Sequence, residues 1–510
     1  MLRSSARTSF QSIVLGLLAI GLVARAQPAA APNLPTGTAP LTLQECIARA
    51  VKKNFNLAIS GYSVATARES LVIANANFDP TLGASSSRVL TQAAATTSKL
   101  DGTSTSSGQR TDSTTTQLSV SQAIPQTNGT VTLTTNLSRQ ASNSANFLFN
   151  PIFGDTASLS VSQPLLKNFG STVARAPINT AKLGVDIANL NYRTSVLSTI
   201  QQTESAYYSL VYARENLRVL QHSLELAQTL YDENLAKKNV GTGTDLDVFT
   251  AQVGVQTARN SVVQAANTVQ NAQDTLLNVI GPTDFTTGIG DVSFANLPQE
   301  QNIPSFDASY TLALNNSPGY ASQQATIKQL EISAATAKQN RLPTLNLTGA
   351  LGYNATDASY SDVIASLPNH HGNNWSLGLV YSMPWGMHAD RARYRTALDN
   401  LEQQKVTLAQ FEQNLLVSVR SAVRAVQANL TSVEISAQST QLSMKNYDLT
   451  KAQFDAGLAT SRQVLQAQQD LEAVRVQELQ ARINLFNAIS NLHQLEGTSL
   501  AKYNVVLDQK

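Results

Sequence analysis

The side chains best suited to chemistry are few and scattered. Five histidines (His222, His370, His371, His388 and His493) and one cysteine, Cys46, would be the raw material for a metal centre or a nucleophile. The spacing such sites need is absent: no H-E-x-x-H, no paired cysteines, no G-x-S-x-G and no phosphate-binding glycine loop. His370-His371 falls in a stretch between two strand patterns, where a surface loop accounts for it better than zinc does. No catalytic residue, metal or cofactor is assigned, and an enzyme is not expected. One pair of segments does join residue type to spacing. In Val240-Gly241-Thr242-Gly243-Thr244 and in Ala456-Gly457-Leu458-Ala459-Thr460, a glycine follows one helical pattern and a threonine precedes the next. Glycine tolerates φ > 0 after a helix, and Thr244 and Thr460 are suited to cap the helix that follows. Each segment is a close helical reversal.

Those reversals belong to a duplication. From Arg175-Ala176 and Arg391-Ala392 to Gly281 and Gly497, the chain matches itself at a constant offset of 216. Phe78-Asp79-Pro80-Thr81-Leu82 has its echo in Arg341-Leu342-Pro343-Thr344-Leu345. The period is far beyond solenoid units of about 20–50 residues, so a whole half-molecule is repeated: 41–281 and 306–497, with 282–305 between them and 498–510 as a tail. Six helical segments are expected, at 42–78, 174–239, 244–281, 306–342, 388–455 and 460–497. Leu210, Leu217, Leu224 and Tyr231 form a heptad stripe, as do Val419, Val426, Val433, Thr440 and Tyr447. Such stripes imply coiled-coil packing at shallow angles. The 174–239 helix would run about 99 Å, and in each half the two shorter helices together match the long one. Stacked end to end beside it, they would meet at a collar formed by 282–305 and the tail.

Composition narrows the class. Residues 1–26 read as a signal peptide: Arg3 and Arg7, an apolar Ile13–Val23 run, and Ala24-Arg25-Ala26 before the cut. Residues 27–40 read as a disordered, proline-containing leader. No other run approaches the roughly 20 apolar residues of a spanning helix. Charged residues make up 14% and the net charge is +2, without the clustered Lys and Arg of a nucleic-acid binder.

Between the helices the period changes from heptad to two. Leu118, Val120 and Ile124; Val131, Leu133 and Leu137; and Leu159, Val161 and Leu165 alternate with Ser, Thr, Asn and Ala. Leu345–Tyr353 and Trp375–Met383 do the same in the second half, and Leu82 begins a weaker sixth strand. Strands thus occupy 81–166 and 344–383. The stretch 85–117, with 17 Ser or Thr in 33 residues, is expected to be a solvated loop. Long loops on one side and a tight turn at 125–129 on the other fit an outer-membrane barrel. Tyr353, Trp375 and Tyr381 would contribute to its aromatic girdle. The alternative is an exported structural or adhesive protein, a helical stalk with a β head.

The signal peptide, the duplicated helix–strands–helix halves and the G-x-x-T…V-x-x-A-Q turns resemble the TolC-like outer membrane efflux protein family over Leu41 to Gly497. The resemblance implies a mixed α and β membrane protein: a homotrimer whose transmembrane β-barrel continues as a long periplasmic α-helical barrel. It implies a passive outer membrane channel for efflux or type I secretion, joined by a periplasmic adaptor protein to an inner-membrane transporter. It also implies adaptor contact at the tip, here Val240, Gly241 and Thr244 with Gly457, Leu458 and Thr460. The family's gate falls on Asp245, Asp247, Phe454, Gln463 and Gln466, where the usual acidic ring has become glutamine and the usual tyrosine phenylalanine. Two strands per half would give a trimer of 12; six per chain would give 18, unless the hairpin 117–138 folds aside.

Overall fold

The computed structural model describes residues 41–94, 108–143, 149–282, 305–366 and 372–505. The expected signal peptide and leader, nearly all of 282–305, and His370-His371 lie outside them.

Both halves run through the same sequence of principal helices. The first has α1 (Leu43–Lys53), α2 (Phe55–Ala76), α3 (Ser171–Ala174), α4 (Ala176–Asn239) and α5 (Asp245–Ile280). The second has α6 (Phe306–Asn316), α7 (Pro318–Gln339), α8 (Tyr360–Ser366), α9 (His388–Asp455) and α10 (Ser461–Glu496), followed by α11 (Ser499–Lys502). In each half the helices beside the long one have 11, 22 and 36 residues. With 64 and 68 residues, α4 and α9 extend about 96 and 102 Å. Short helices lie along them: α1, α2 and α5 against α4, and α6, α7 and α10 against α9.

Two expected helices are each broken in two. The 42–78 segment divides at Asn54, whose Oδ1 accepts from the backbone N–H of Asn56 and Leu57 while Nδ2 donates to the Val279 carbonyl at 2.8 Å. The 306–342 segment divides at Ser317, which caps a helix starting on Pro318. An N-cap serine before an N1 proline is a start signal that amphipathic periodicity alone overlooks. The breaks lie at the equator, where the largest core gathers Cys46 and Ile47 of α1, Ile200, Tyr207 and Leu210 of α4, Leu276 of α5 and Leu500 of α11. Its counterpart around Ala313, Val419, Val426 and Leu492 serves the second half. Cys46 is fully buried, and burial pushes its thiol up to about 12.

The strands form one sheet in sequence order: β1 (Thr81–Gln92), β2 (Arg110–Ala123), β3 (Thr130–Ser142), β4 (Ile152–Pro164), β5 (Thr344–Asp357) and β6 (Gly372–Ser382). Every neighbouring pair is antiparallel. The expected Ser/Thr loop is corrected here: 85–92 and 110–117 are strand, paired residue for residue from Ser85↔Gln117 to Gln92↔Arg110. Threonine suits a pleated surface, and polar strands need no apolar layer where they face water. The turn at 125–129 is tight, with Asn128 at φ 60° and Ile124 N–H donating to the Gly129 carbonyl at 2.7 Å.

Alternating side chains give the two faces different characters, most sharply through the middle of the sheet. One cross-strand row reads Leu82, Val120, Leu133, Leu159, Leu351, Trp375, and all six are exposed. The adjacent row on the opposite face reads Gly83, Ser119, Thr134, Ser158, Gly352, Asn374. That opposite face carries no Asp, Glu, Lys or Arg on any of the six strands. The sheet's charges (Arg88, Arg110, Asp112, Arg139, Asp155 and Asp357) lie on the apolar face toward the loop end, where Arg88 and Asp112 pair at 2.5 Å. There α8 covers that face, with Val363 fully buried and Tyr360 against Phe153 at 4.5 Å. None of the described helices is long and apolar enough to cross a membrane.

Candidate functional site

At the end remote from the sheet, α4 turns into α5 and α9 into α10 by the same backbone device. The Thr242 and Gly241 N–H groups donate to the Lys237 and Lys238 carbonyls, both at 2.9 Å. Leu458 and Gly457 donate to Gln453 and Phe454 at 2.8 and 3.0 Å. Two such bonds with a left-handed glycine make a Schellman turn; Gly241 has φ 81° and Gly457 φ 76°. Thr244 and Thr460 cap the following helices in capping boxes, with Asp247 and Gln463 as the reciprocal partners. Val240 and Leu458 stand out from the turns at 75% and 82% exposure.

The five gate positions are not brought together as a set. The Asp247 carboxylate accepts from its own cap, Thr244 Oγ1, at 2.6 Å, and the Gln463 Oε1 likewise accepts from Thr460 Oγ1 at 2.9 Å. Asp245 pairs with Lys238 at 2.5 Å, and Gln466 donates to Asp470 at 2.8 Å, one turn along α10. Phe454 points into the tip core with Leu230, Ala251 and Val464. Each of the five is held by a residue outside the set.

Apart from Phe454, the tip's cross-links between the two halves run through residues that the sequence did not single out. Lys451 of α9 pairs with Glu233 of α4 at 2.6 Å and with Asp455 at 2.8 Å. Burial works against its ammonium, but hydrogen bonds to Asp455 and Glu233 outweigh that and raise its pKa above the ordinary lysine value. The Lys237 ammonium sits 3.4 Å above the centre of the Phe454 ring and donates to the Phe454 carbonyl. The ring's negative face attracts a cation, so phenylalanine here holds a lysine where a tyrosine would offer a hydroxyl. Asn234 Nδ2 donates to Ser461 Oγ at 2.8 Å in a buried contact. Further up, Gln468 donates to the Ser223 carbonyl at 2.7 Å, and Ser223 Oγ donates to Glu472. The available signal was charge density: on helices so poor in charge, Glu233, Lys237, Lys238, Lys451 and Asp455 crowd one end. The duplication concealed it, because position 235, equivalent to Lys451, is a leucine.

At the opposite end, Tyr353, Trp375 and Tyr381 lie on the apolar face of β5 and β6, all exposed.

The likenesses to known proteins agree with this architecture. The outer membrane channel OprN superposes with a TM-score of 0.68 at 15% identity, over 89% of each chain. CmeC of Campylobacter jejuni gives 0.66 at 17%, over 92% of this chain and 90% of its own. By sequence, the outer membrane efflux protein BepC of Brucella suis is 24% identical over 329 residues, 64% of this chain and 68% of BepC. The outer membrane protein TolC of Escherichia coli is 23% identical over 325 residues, 60% of this chain and 64% of TolC, just under two thirds of its length. The model of the outer membrane efflux protein family matches residues 126–282 and 309–498, more than half of the chain, and the chain belongs to that family.

Proposed function

We propose that this protein is the passive outer membrane duct of a tripartite efflux pump or type I secretion system. It works as a homotrimer, with the sheet in the membrane, the helices across the periplasm, and the tip on a periplasmic adaptor that links it to an inner-membrane transporter. The observation that carries this reading is the segregation of the sheet. One face carries a continuous exposed apolar row and the other carries no charge and is mostly Ser, Thr, Asn and Gly, at the end of helices about 100 Å long. Lipid suits the first face and a water-filled lumen the second. A soluble β head would have no use for six exposed large apolar side chains in register.

Oligomerisation is supported by apolar stripes that the single chain leaves uncovered. They include Phe55, Ile59 and Tyr62 on α2, Leu246, Phe249 and Val253 on α5, and Ile435, Leu442 and Leu449 on α9. Their spacing of three, four or seven residues is that of helix–helix seams. Tyr353, Trp375 and Tyr381 supply part of the interfacial girdle. Val240 and Leu458, with Gly241, Thr244, Gly457 and Thr460 shaping the turns, form the adaptor contact.

The constriction is assigned to the same tip. Asp245, Asp247, Gln463 and Gln466 contribute its polar rim, and the ties through Phe454 and Lys451 hold the two hairpins of a protomer together. Single-channel recording in planar bilayers tests this. Lys451→Met is expected to raise the open fraction or conductance over the unmodified trimer. Equal conductance of the two would remove the latch from the account, and a trimer that inserts without conducting in either form would remove the duct.

A further inference from the structure

We infer that three copies of this chain close an eighteen-stranded barrel, each β6 pairing with the β1 of the next copy, in place of the twelve strands that the family resemblance implies. The inference rests on the trimeric duct reading and goes beyond it in strand number, in the identity of the seam and in the width of the exit.

The first ground is continuity. β2 and β3 do not fold aside: Val120 and Leu133 sit in the same apolar row as Leu82, Leu159, Leu351 and Trp375. On the other face Ser119 and Thr134 continue the polar row. A hairpin packed away from the wall would have no reason to keep both patterns in register with the strands on either side.

The second ground is the state of the two edges. β1 and β6 are the outermost strands, of 12 and 11 residues. β6 holds no charge and no proline, and β1 holds a single charge, Arg88, already tied to Asp112. Proteins that leave a sheet edge open blunt it with charges, prolines or bulges, and an open edge in hydrocarbon leaves backbone groups unsatisfied. Closure of one copy on itself would need a six-stranded barrel, below the eight of the smallest transmembrane barrels. Because the sheet is an all-antiparallel meander of six strands, β6 and the β1 of another copy run in opposite senses. They can therefore continue the same ladder, which an odd number of strands would forbid.

The third ground is circumference. Beneath the sheet, α2, α4, α7 and α9 pack in a row in that order, the order in which β1, β4, β5 and β6 join them. Four helices spaced 8–10 Å apart span about 32–40 Å. Six strands about 4.8 Å apart and tilted about 40° span about 38 Å, whereas four would span about 25 Å. Six strands thus match the helical arc that carries them. Three copies give a barrel about 36 Å across, backbone to backbone, against about 24 Å for twelve strands. With an uncharged hydroxyl-rich inner wall, that exit would pass bulky solutes without sorting them by charge, leaving discrimination to the tip and its partners.

Electron cryomicroscopy of the full chain in lipid nanodiscs tests this. Eighteen strands around a threefold axis, with β6 hydrogen-bonded to a neighbouring β1, is the expected result. A threefold hollow particle with twelve strands and residues 117–138 outside the wall would overturn the strand count while leaving the duct intact. A particle without threefold symmetry or without a lumen would overturn both.

Discussion

The two halves of this chain share their principal helices and differ in their strands. Helix lengths of 11, 22 and 36 residues recur, yet the first half places four strands between its helices and the second places two. The helices are locked to one another by heptad seams, in which an inserted residue would rotate every later side chain off the stripe. Strands joined in hairpins are free of that constraint. A hairpin added in a meander returns the chain to the same side and leaves the helices below unmoved. The architecture can therefore gain width at the membrane while keeping its periplasmic length.

The largest effect is expected from making the halves alike. Excising residues 110–142, which hold β2 and β3, should leave β1 free to pair with β4 and shrink the barrel to about two thirds of its circumference. Particle images of the trimer would show this, and an unchanged barrel width would mean that the hairpin was never in the wall. Next come the equivalent core leucines, Leu276 and Leu492, both buried. Each Leu→Ala change should cost about 2–5 kcal/mol, with similar losses in thermal stability for the two. A large cost in one half alone would show that the halves do not share the load.

The tip latch breaks the symmetry, since Lys451 has no charged counterpart at Leu235. Lys451→Met should cost about 1 kcal/mol for a partly exposed ion pair and loosen the tip. Protease sensitivity near the tip turns should rise, whereas Leu235→Met should leave it unchanged. Gly241→Ala and Gly457→Ala have open space around the added carbon, so only the left-handed backbone opposes them, by about 1 kcal/mol each. Thermal melts that separate the two would point to an unequal role for one turn. The smallest effect is a pH dependence. The Lys451 pKa is raised in the fold, so its contribution is complete below the ordinary lysine value of about 10.4 and fades only as pH rises past the raised one. The stability gap between wild type and Lys451→Met should hold constant from pH 7 to pH 9; its closing by pH 9 would contradict the assignment.

Much of the frame was legible because heptads are redundant. Leu210, Val419 and Val426 each sit in a stripe of several turns and are buried as the stripe requires. The helix breaks at Asn54 and Ser317 were harder, since each rests on one capping residue within an otherwise continuous pattern. The strands of 85–92 and 110–117 were misread for a physical reason. In a sheet with a polar lumen and a charged loop end, Ser and Thr on both faces mimic the composition of a loop. At the tip, the sequence singles out Phe454 but not the lysines around it, because a lysine over an aromatic face leaves no local spacing to read.

In a membrane duct of this design, adjacent residues of one strand face lipid and water. Leu159 and Ser160 of β4 test it directly, with the native thiol silent because Cys46 is fully buried. Leu159→Cys and Ser160→Cys would be exposed, in intact outer membranes, to a thiol reagent that does not cross lipid. Rapid labelling at 160 with protection at 159 is the predicted result. Equal labelling at both would place the sheet in water and contradict the duct.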